Sequence, residues 1–331
     1  GYARYTLRNK TIKIKDEKDT TITIKISRHG PIMNGLVKQL KNDDPIAMQW
    51  IYTKEKNESL EVLYKMSHAK SLSEFKMAAS KMHAPGLNMM YGDAKNNIAW
   101  FAAGKLYKYR DSLGRNTFLD GSTGEDDIQY FLDFESNPQA INPEWNYVYS
   151  ANNQPEAIDG KLYPGYYQPE DRAKRIVKLL ELKSKFTKED VAAMIYDVTS
   201  STVAEVASNL IAVINQNKLS VNQKTAIQKL QNWKGNFDAK AIGPVIYNRF
   251  IYQLLVNTYK DEMGQGFTQF INTTIQDKVL RELAKNENSI WLDDVTTTNK
   301  KETKQEIVTK SFKESIGFLE NQLGENVENW Y

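Results

Sequence analysis

Apolar and polar positions alternate over residues 11–26, TIKIKDEKDTTITIKI, on either side of a charged turn, which predicts a hairpin with one buried face. Helical spacing takes over in residues 58–82: Leu60, Leu63 and Met66 are followed by Leu72, Phe75 and Met77. Two short helices are expected there, with Ser71 or Ser73 capping the second. From Gly86 the run LNMMY, the turn GDAKNN and the run IAWFAAG predict a second hairpin, its turn built from residue types that tolerate left-handed backbone. A loop-rich stretch between Asp111 and Pro143 leads to Tyr147-Val148-Tyr149-Ser150, read as a short strand that stops at Ala151-Asn152-Asn153-Gln154-Pro155.

After about residue 166 the spacing becomes helical, beginning with an apolar stripe of Ile176, Leu179, Leu180 and Leu182. Thr187 opens another helix, with Asp190 where a capping box needs its acid. Further helices are expected over roughly 204–215, 220–233, 243–259, 267–285 and 303–323, the last ended by Gly324. The pattern predicts an α+β chain: a β-rich region over 1–165 with two short helices, a helical region over 166–331, and no internal repeat.

Composition removes several function classes. Of 331 residues, 40% are hydrophobic, enough for a substantial core. Lys and Arg number 44 against 41 Asp and Glu, and no basic run is interleaved with aromatics, so nucleic acid is not an expected partner. No stretch approaches the ~18 consecutive apolar residues of a membrane span. The opening Gly1-Tyr2-Ala3-Arg4-Tyr5 lacks an apolar signal region, so a targeting segment has been removed or the sequence starts inside its gene. The absence of cysteine excludes thiol catalysis and Cys-ligated metals within this sequence. Three histidines, His29, His68 and His83, without an H-E-x-x-H pattern, argue against a multi-histidine metal site.

Four segments stand in order: SRHGPIM at 27–33, NMMYGDAKNNIAWFAAG at 88–104, YSANNQP at 149–155 and YPGYYQPEDRAKRI at 163–176. Together they resemble the β-chain of penicillin acylases, and the closing LGENVENWY at 323–331 resembles the stretch before that family's Trp-Gly segment. The resemblance spans almost the whole chain. It implies an N-terminal-nucleophile hydrolase with an αββα sandwich, in which a self-cleaved precursor exposes a Ser that serves as nucleophile and, through its α-amino group, as base. It also implies that both regions belong to one larger catalytic unit. This sequence, opening on Gly1, would then be an internal piece of the β-chain, inactive alone, with the α-chain and the remaining β-chain segments as its partners. The expected substrate is a linear acyl amide such as a penicillin, an acyl-homoserine lactone or a lipopeptide, and the expected location is the bacterial periplasm or beyond.

By the same resemblance Asn152 is the oxyanion-hole residue, its amide donating to the carbonyl oxygen as negative charge develops. Taken alone, an Asn-Asn pair before a proline is a turn cap, and a one-residue shift would give the role to Asn153. Arg172 corresponds to the arginine that organises the site, for which a planar, permanently charged fork suits a fixed network. The plain alternatives are a helix-surface pair with Glu170 or Asp171, or Arg175 in its place.

His29 has a pKa suited to proton transfer, yet the resemblance gives it no catalytic part and a structural role is expected. Asp93 is read as a turn residue. Calcium occurs in some members of the family, so it is possible for a full-length enzyme. No cofactor or metal is expected in this chain, since Asp159 is the nearest carboxylate downstream of Asn152 and one ligand does not make a calcium site. Tyr163, Tyr166 and Tyr167 line an acyl pocket or pack in a core. Two other readings stand beside the hydrolase: a non-catalytic ligand-binding relative of the same fold, told apart by the residue at the upstream processing junction, and a helical scaffold, which leaves the ordered strand motifs unexplained.

Overall fold

The computed structural model describes residues 3–37, 40, 44–110, 118–156 and 165–331. They divide into two compact units, one of Gly1–Val148 with Pro155–Tyr166 and the other of Tyr149–Gln154 with Tyr167–Tyr331.

The first unit opens with strands β1 (Thr6–Ile12) and β2 (Thr20–Ile26), paired antiparallel from Thr6 opposite Ile26 to Ile12 opposite Thr20. A hairpin forms as expected, but its first strand ends at Ile12 instead of spanning 11–15, and its expected buried face is not buried. Ile12, Ile22, Ile24 and Ile26 share one side of the register, yet Ile12 and Ile22 are 46% and 41% exposed. The cause is topological: β1 and β2 form a two-stranded sheet, and among the described residues no third strand joins it.

Helices α1 (Ser59–His68) and α2 (Leu72–Ala79) follow, and the Ser71 side chain caps α2 by accepting from the Glu74 amide. Strands β3 (Leu87–Gly92) and β4 (Ile98–Ala103) pair antiparallel as the second hairpin. Asp93 holds its turn, accepting from the backbone amides of Lys95 and Asn97 at 2.8 and 3.0 Å. Two short strands, β5 (Tyr107–Lys108) and β6 (Tyr130–Phe131), pair with each other, and β7 (Gln139–Ile141) adds to β4. Alternate residues of β4, namely Ala99, Phe101 and Ala103, face inward with Met89 to meet Val62, Phe75, Ala79 and Met82.

The expected strand at Tyr147–Ser150 is absent. That segment has no ladder partner among the described residues, and the parallel bridge from Asn153 to Gln168 lies beyond its end. A strand needs a neighbouring strand to form a ladder with, and this run has none among the described residues.

The second unit is helical. It contains α3 (Asp171–Leu180), α4 (Lys188–Ile195), α5 (Ser201–Ala212), α6 (Val221–Asn232) and α7 (Ile242–Met263), then α8 (Phe267–Ile271), α9 (Ile275–Lys285) and α10 (Lys304–Leu323). The capping box expected at Thr187 and Asp190 opens α4, and Gly324 ends α10 at φ +89°. The single helix expected over 267–285 is two, interrupted at 272–274 by Asn and two Thr, whose side chains compete for backbone groups. Helix α7 runs through the core against α10, where Phe250 and Phe312 meet edge to face with centroids 5.3 Å apart.

Candidate active site

Residues Ala151–Asn153 make a tight turn beside the start of α3. Asn152 adopts φ +60°, a left-handed conformation that asparagine tolerates better than most residues. Its carbonyl accepts from the Gln168 amide at 2.7 Å, and its own amide reaches the Ser150 hydroxyl at 3.3 Å. The turn is thus pinned by one backbone bond and one bond to a side-chain hydroxyl rather than by a strand end.

Arg172 lies in the first turn of α3 and points back to this turn. One terminal nitrogen of its guanidinium donates to the Ala151 carbonyl at 2.7 Å and to Asn152 Oδ1 at 3.0 Å. A guanidinium only donates, so the atom of Asn152 facing it must be the oxygen. The Asn152 Nδ2 group is turned the other way and makes no hydrogen bond among the described residues. Asn152 and Arg172 are both solvent-exposed, while Ala151 and Ala173 behind them are buried. An oriented amide donor therefore stands at the surface on a buried footing.

Asn153 is used differently. Its Oδ1 accepts from the buried Ala151 amide at 3.2 Å and its Nδ2 donates to the Gln154 carbonyl at 3.3 Å. Both ends of its side chain serve the turn, whereas only the acceptor of Asn152 does.

The charged neighbours are paired among themselves. Lys174 binds Glu170 one helical turn away at 2.9 Å and holds that carboxyl below its usual range. Arg175, on the same face of α3 as Arg172, makes a two-pronged contact with Asp197 at 2.8 and 2.5 Å. That hydrogen-bonded guanidinium depresses the Asp197 pKa. Asp197 also accepts from the Thr199 amide at 3.0 Å, so it ties α3 to the turn before α5. The sequence carries no signal for Asp197, because the contact spans 22 residues and obeys no local period.

Elsewhere, His29 Nε2 bonds Asp127 Oδ1 at 2.7 Å, and Arg28 binds the same carboxylate and the Gly121 carbonyl. Burial works to raise the Asp127 pKa, but the bonds from His29 and Arg28 outweigh it and lower the value. This cluster fastens the loop at 121–127 to the turn at 27–30: the His29 ring meets the Asp127 carboxylate, and its backbone amide donates to the Ser27 hydroxyl at 3.2 Å. Tyr166 is 66% exposed and Tyr167 is half-buried, while Tyr163 and Asp159 lie outside the described residues. Among the described residues no group of three or more His, Asp or Glu that could hold a metal ion gathers.

Comparison with known proteins bears on what this arrangement is. The chain is 24% identical to the acyl-homoserine lactone acylase QuiP of Pseudomonas aeruginosa over 98% of its length and 41% of that protein. It is 25% identical to penicillin G acylase of Escherichia coli, again over 98% of this chain and 41% of the relative. The chain thus spans about two fifths of the length of these relatives. Among solved structures, the thermostable penicillin G acylase from Alcaligenes faecalis superposes with a TM-score of 0.72 at 16% identity, covering 98% of this chain and 62% of that one. The α+β fold of the described residues is therefore that of a penicillin acylase segment. The family model for penicillin amidase matches residues 1–331, and the chain belongs to that family.

Proposed function

We propose that this chain is the oxyanion-hole-bearing part of an enzyme that hydrolyses linear acyl amides through an N-terminal Ser. Membership of a family whose relatives are named acylases supports the reaction class. The observation that carries the reading to residues is the Arg172–Asn152 contact, which turns an amide N–H pair outward at an exposed turn.

In this scheme the Ser, on a β-chain N-terminus outside this sequence, attacks the substrate carbonyl carbon and passes its hydroxyl proton to its own α-amino group. The carbonyl oxygen takes the displaced electron pair, and the Nδ2–H of Asn152 donates to it. Collapse of the tetrahedral species breaks the C–N bond, and the leaving amine takes the proton. Water then attacks the acyl ester by the same route, releasing the acid and restoring the Ser. Arg172 touches no reacting atom in this scheme. It holds Oδ1 so that Nδ2, and not the acceptor, meets the growing charge, a preorganisation that costs nothing at the moment of reaction.

The substrate is an acyl chain on an amine of the penicillin nucleus, homoserine lactone or peptide class, and the site is an exported one in a bacterial envelope. No helix among the described residues is long and apolar enough to cross a membrane. The test is to express the chain within its full polypeptide and read the termini by intact mass and N-terminal sequencing. A self-made cut exposing Ser supports the hydrolase. A single uncut chain, or a cut exposing no nucleophile, supports a ligand-binding relative of the same fold.

A further inference from the structure

Helices α5, α7 and α9 do not close completely on one another. Between them lies a half-open cavity of about 250 Å³, and a second lobe of about 80 Å³ continues toward Pro169 and Asp171 at the start of α3. The two lobes share Val203, Tyr247, Asp277 and Leu280, and Ile251 and Leu255 complete the apolar wall of the larger one.

Asp277 breaks this apolar lining. It stands on the first turn of α9 at the cavity mouth, and among the described residues its carboxylate makes no hydrogen bond and no ion pair. The nearest guanidinium, that of Arg281, spends its Nε on the backbone carbonyl of Asp277 at 3.2 Å instead of on the carboxylate. Asp171 adds a second negative charge at the far lobe, so the two carboxylates outnumber the single arginine in the lining. The Tyr247 ring is buried against the same space, and its hydroxyl also lacks a hydrogen-bond partner among the described residues. Burial and then the charge of Asp277 push the Tyr247 phenol pKa up, while burial and then Asp171 raise that of Asp277 against the smaller lowering effect of Arg281.

We propose that this cavity binds a small organic cation: a primary ammonium on a single aromatic ring or branched alkyl body, with Asp277 as counter-ion. The apolar walls take the body, and the Tyr247 ring and hydroxyl supply a further face for the cation. The volume restricts the ligand to something smaller than the ~300–1,000 Å³ of drug-sized pockets. The smaller lobe ends at Asp171, beside Arg172, but the inference is independent of the hydrolase reading because binding there requires no turnover.

The experiment is titration calorimetry of the full chain with 2-phenylethylammonium and with 2-phenylethanol, its neutral counterpart of nearly equal size, at neutral pH and low salt. The ammonium should bind roughly tenfold more tightly than the alcohol. Asp277→Asn, at an exposed rim position, should keep the fold by circular dichroism and erase that difference. Val203→Phe, which fills the wall common to both lobes, should weaken both ligands. Failure of the ammonium to bind, equal binding of the two probes, or a preference that survives Asp277→Asn would overturn the proposal.

Discussion

The guanidinium of Arg172 bonds Asn152 Oδ1 at 3.0 Å and the carbonyl of Ala151 at 2.7 Å, so one side chain fixes both the backbone and the amide of a single turn. Both bonds leave one terminal nitrogen, whose two N–H directions are fixed in the guanidinium plane, a constraint that a lysine ammonium on its flexible stem does not supply. Arg172→Lys in the processed enzyme should therefore lower kcat by about ten- to a hundredfold, the worth of a charge-assisted bond, with KM little changed. An unchanged kcat would remove Arg172 from the site.

Asn153 and Asn152 should separate cleanly by phenotype. Asn153→Ala leaves the buried Ala151 amide without its 3.2 Å acceptor and should cost about 1–2 kcal/mol of stability, read as a lower melting temperature. Its activity, measured well below that temperature, should stay within a few-fold of wild type. A loss of activity without a loss of stability would instead hand the oxyanion role to Asn153.

The Arg175–Asp197 pair predicts a pH dependence. The folded pKa of Asp197 is depressed by the Arg175 bonds, so its contribution to stability is present above the unfolded carboxylate value of about 4 and fades as pH falls through the lower folded value. Between pH 5 and pH 2, approximately, wild type should lose more thermal stability than Asp197→Asn, which has no proton to take up there. Parallel curves for the two proteins would contradict this.

Much of this architecture is legible in the sequence where it is set locally. The β3–β4 hairpin follows from its alternation and its turn, and the capping box at Thr187 and Asp190 from residues three apart. What fails is whatever depends on partners. The hairpin of β1 and β2 has the pattern of a buried face with nothing among the described residues to bury it, and Tyr147–Ser150 has strand-forming side chains without a neighbouring strand. Asn152 and Arg172 could be paired only through a family resemblance, because 20 residues separate them. Asp197 is likewise defined by tertiary contact alone, and the unpaired Asp277 looks in the sequence like any surface acid of an amphipathic helix.

Two glycines of the helical unit should respond oppositely to alanine. Gly235 has φ +85°, and a Cβ there would fall 1.9 Å from the Ser200 carbonyl oxygen, whose residue caps α5. Gly235→Ala should destabilise by at least about 3 kcal/mol. Gly317, in the interior of α10, has nothing within 4 Å of an added Cβ, so Gly317→Ala should stabilise by about 0.5–1 kcal/mol. Chemical denaturation midpoints of the two variants check both signs.

With Asn152 proposed as the donor to a developing oxyanion, the steady-state kinetics of Asn152→Ala in the processed full-length enzyme test that role most directly. Loss of one such donor should lower kcat by roughly a hundredfold to a thousandfold with KM near wild type, while alanine at the left-handed φ of Asn152 lowers the melting temperature by the worth of only about 1–2 kcal/mol. A kcat within a few-fold of wild type, in a variant that still matures and folds, would contradict it.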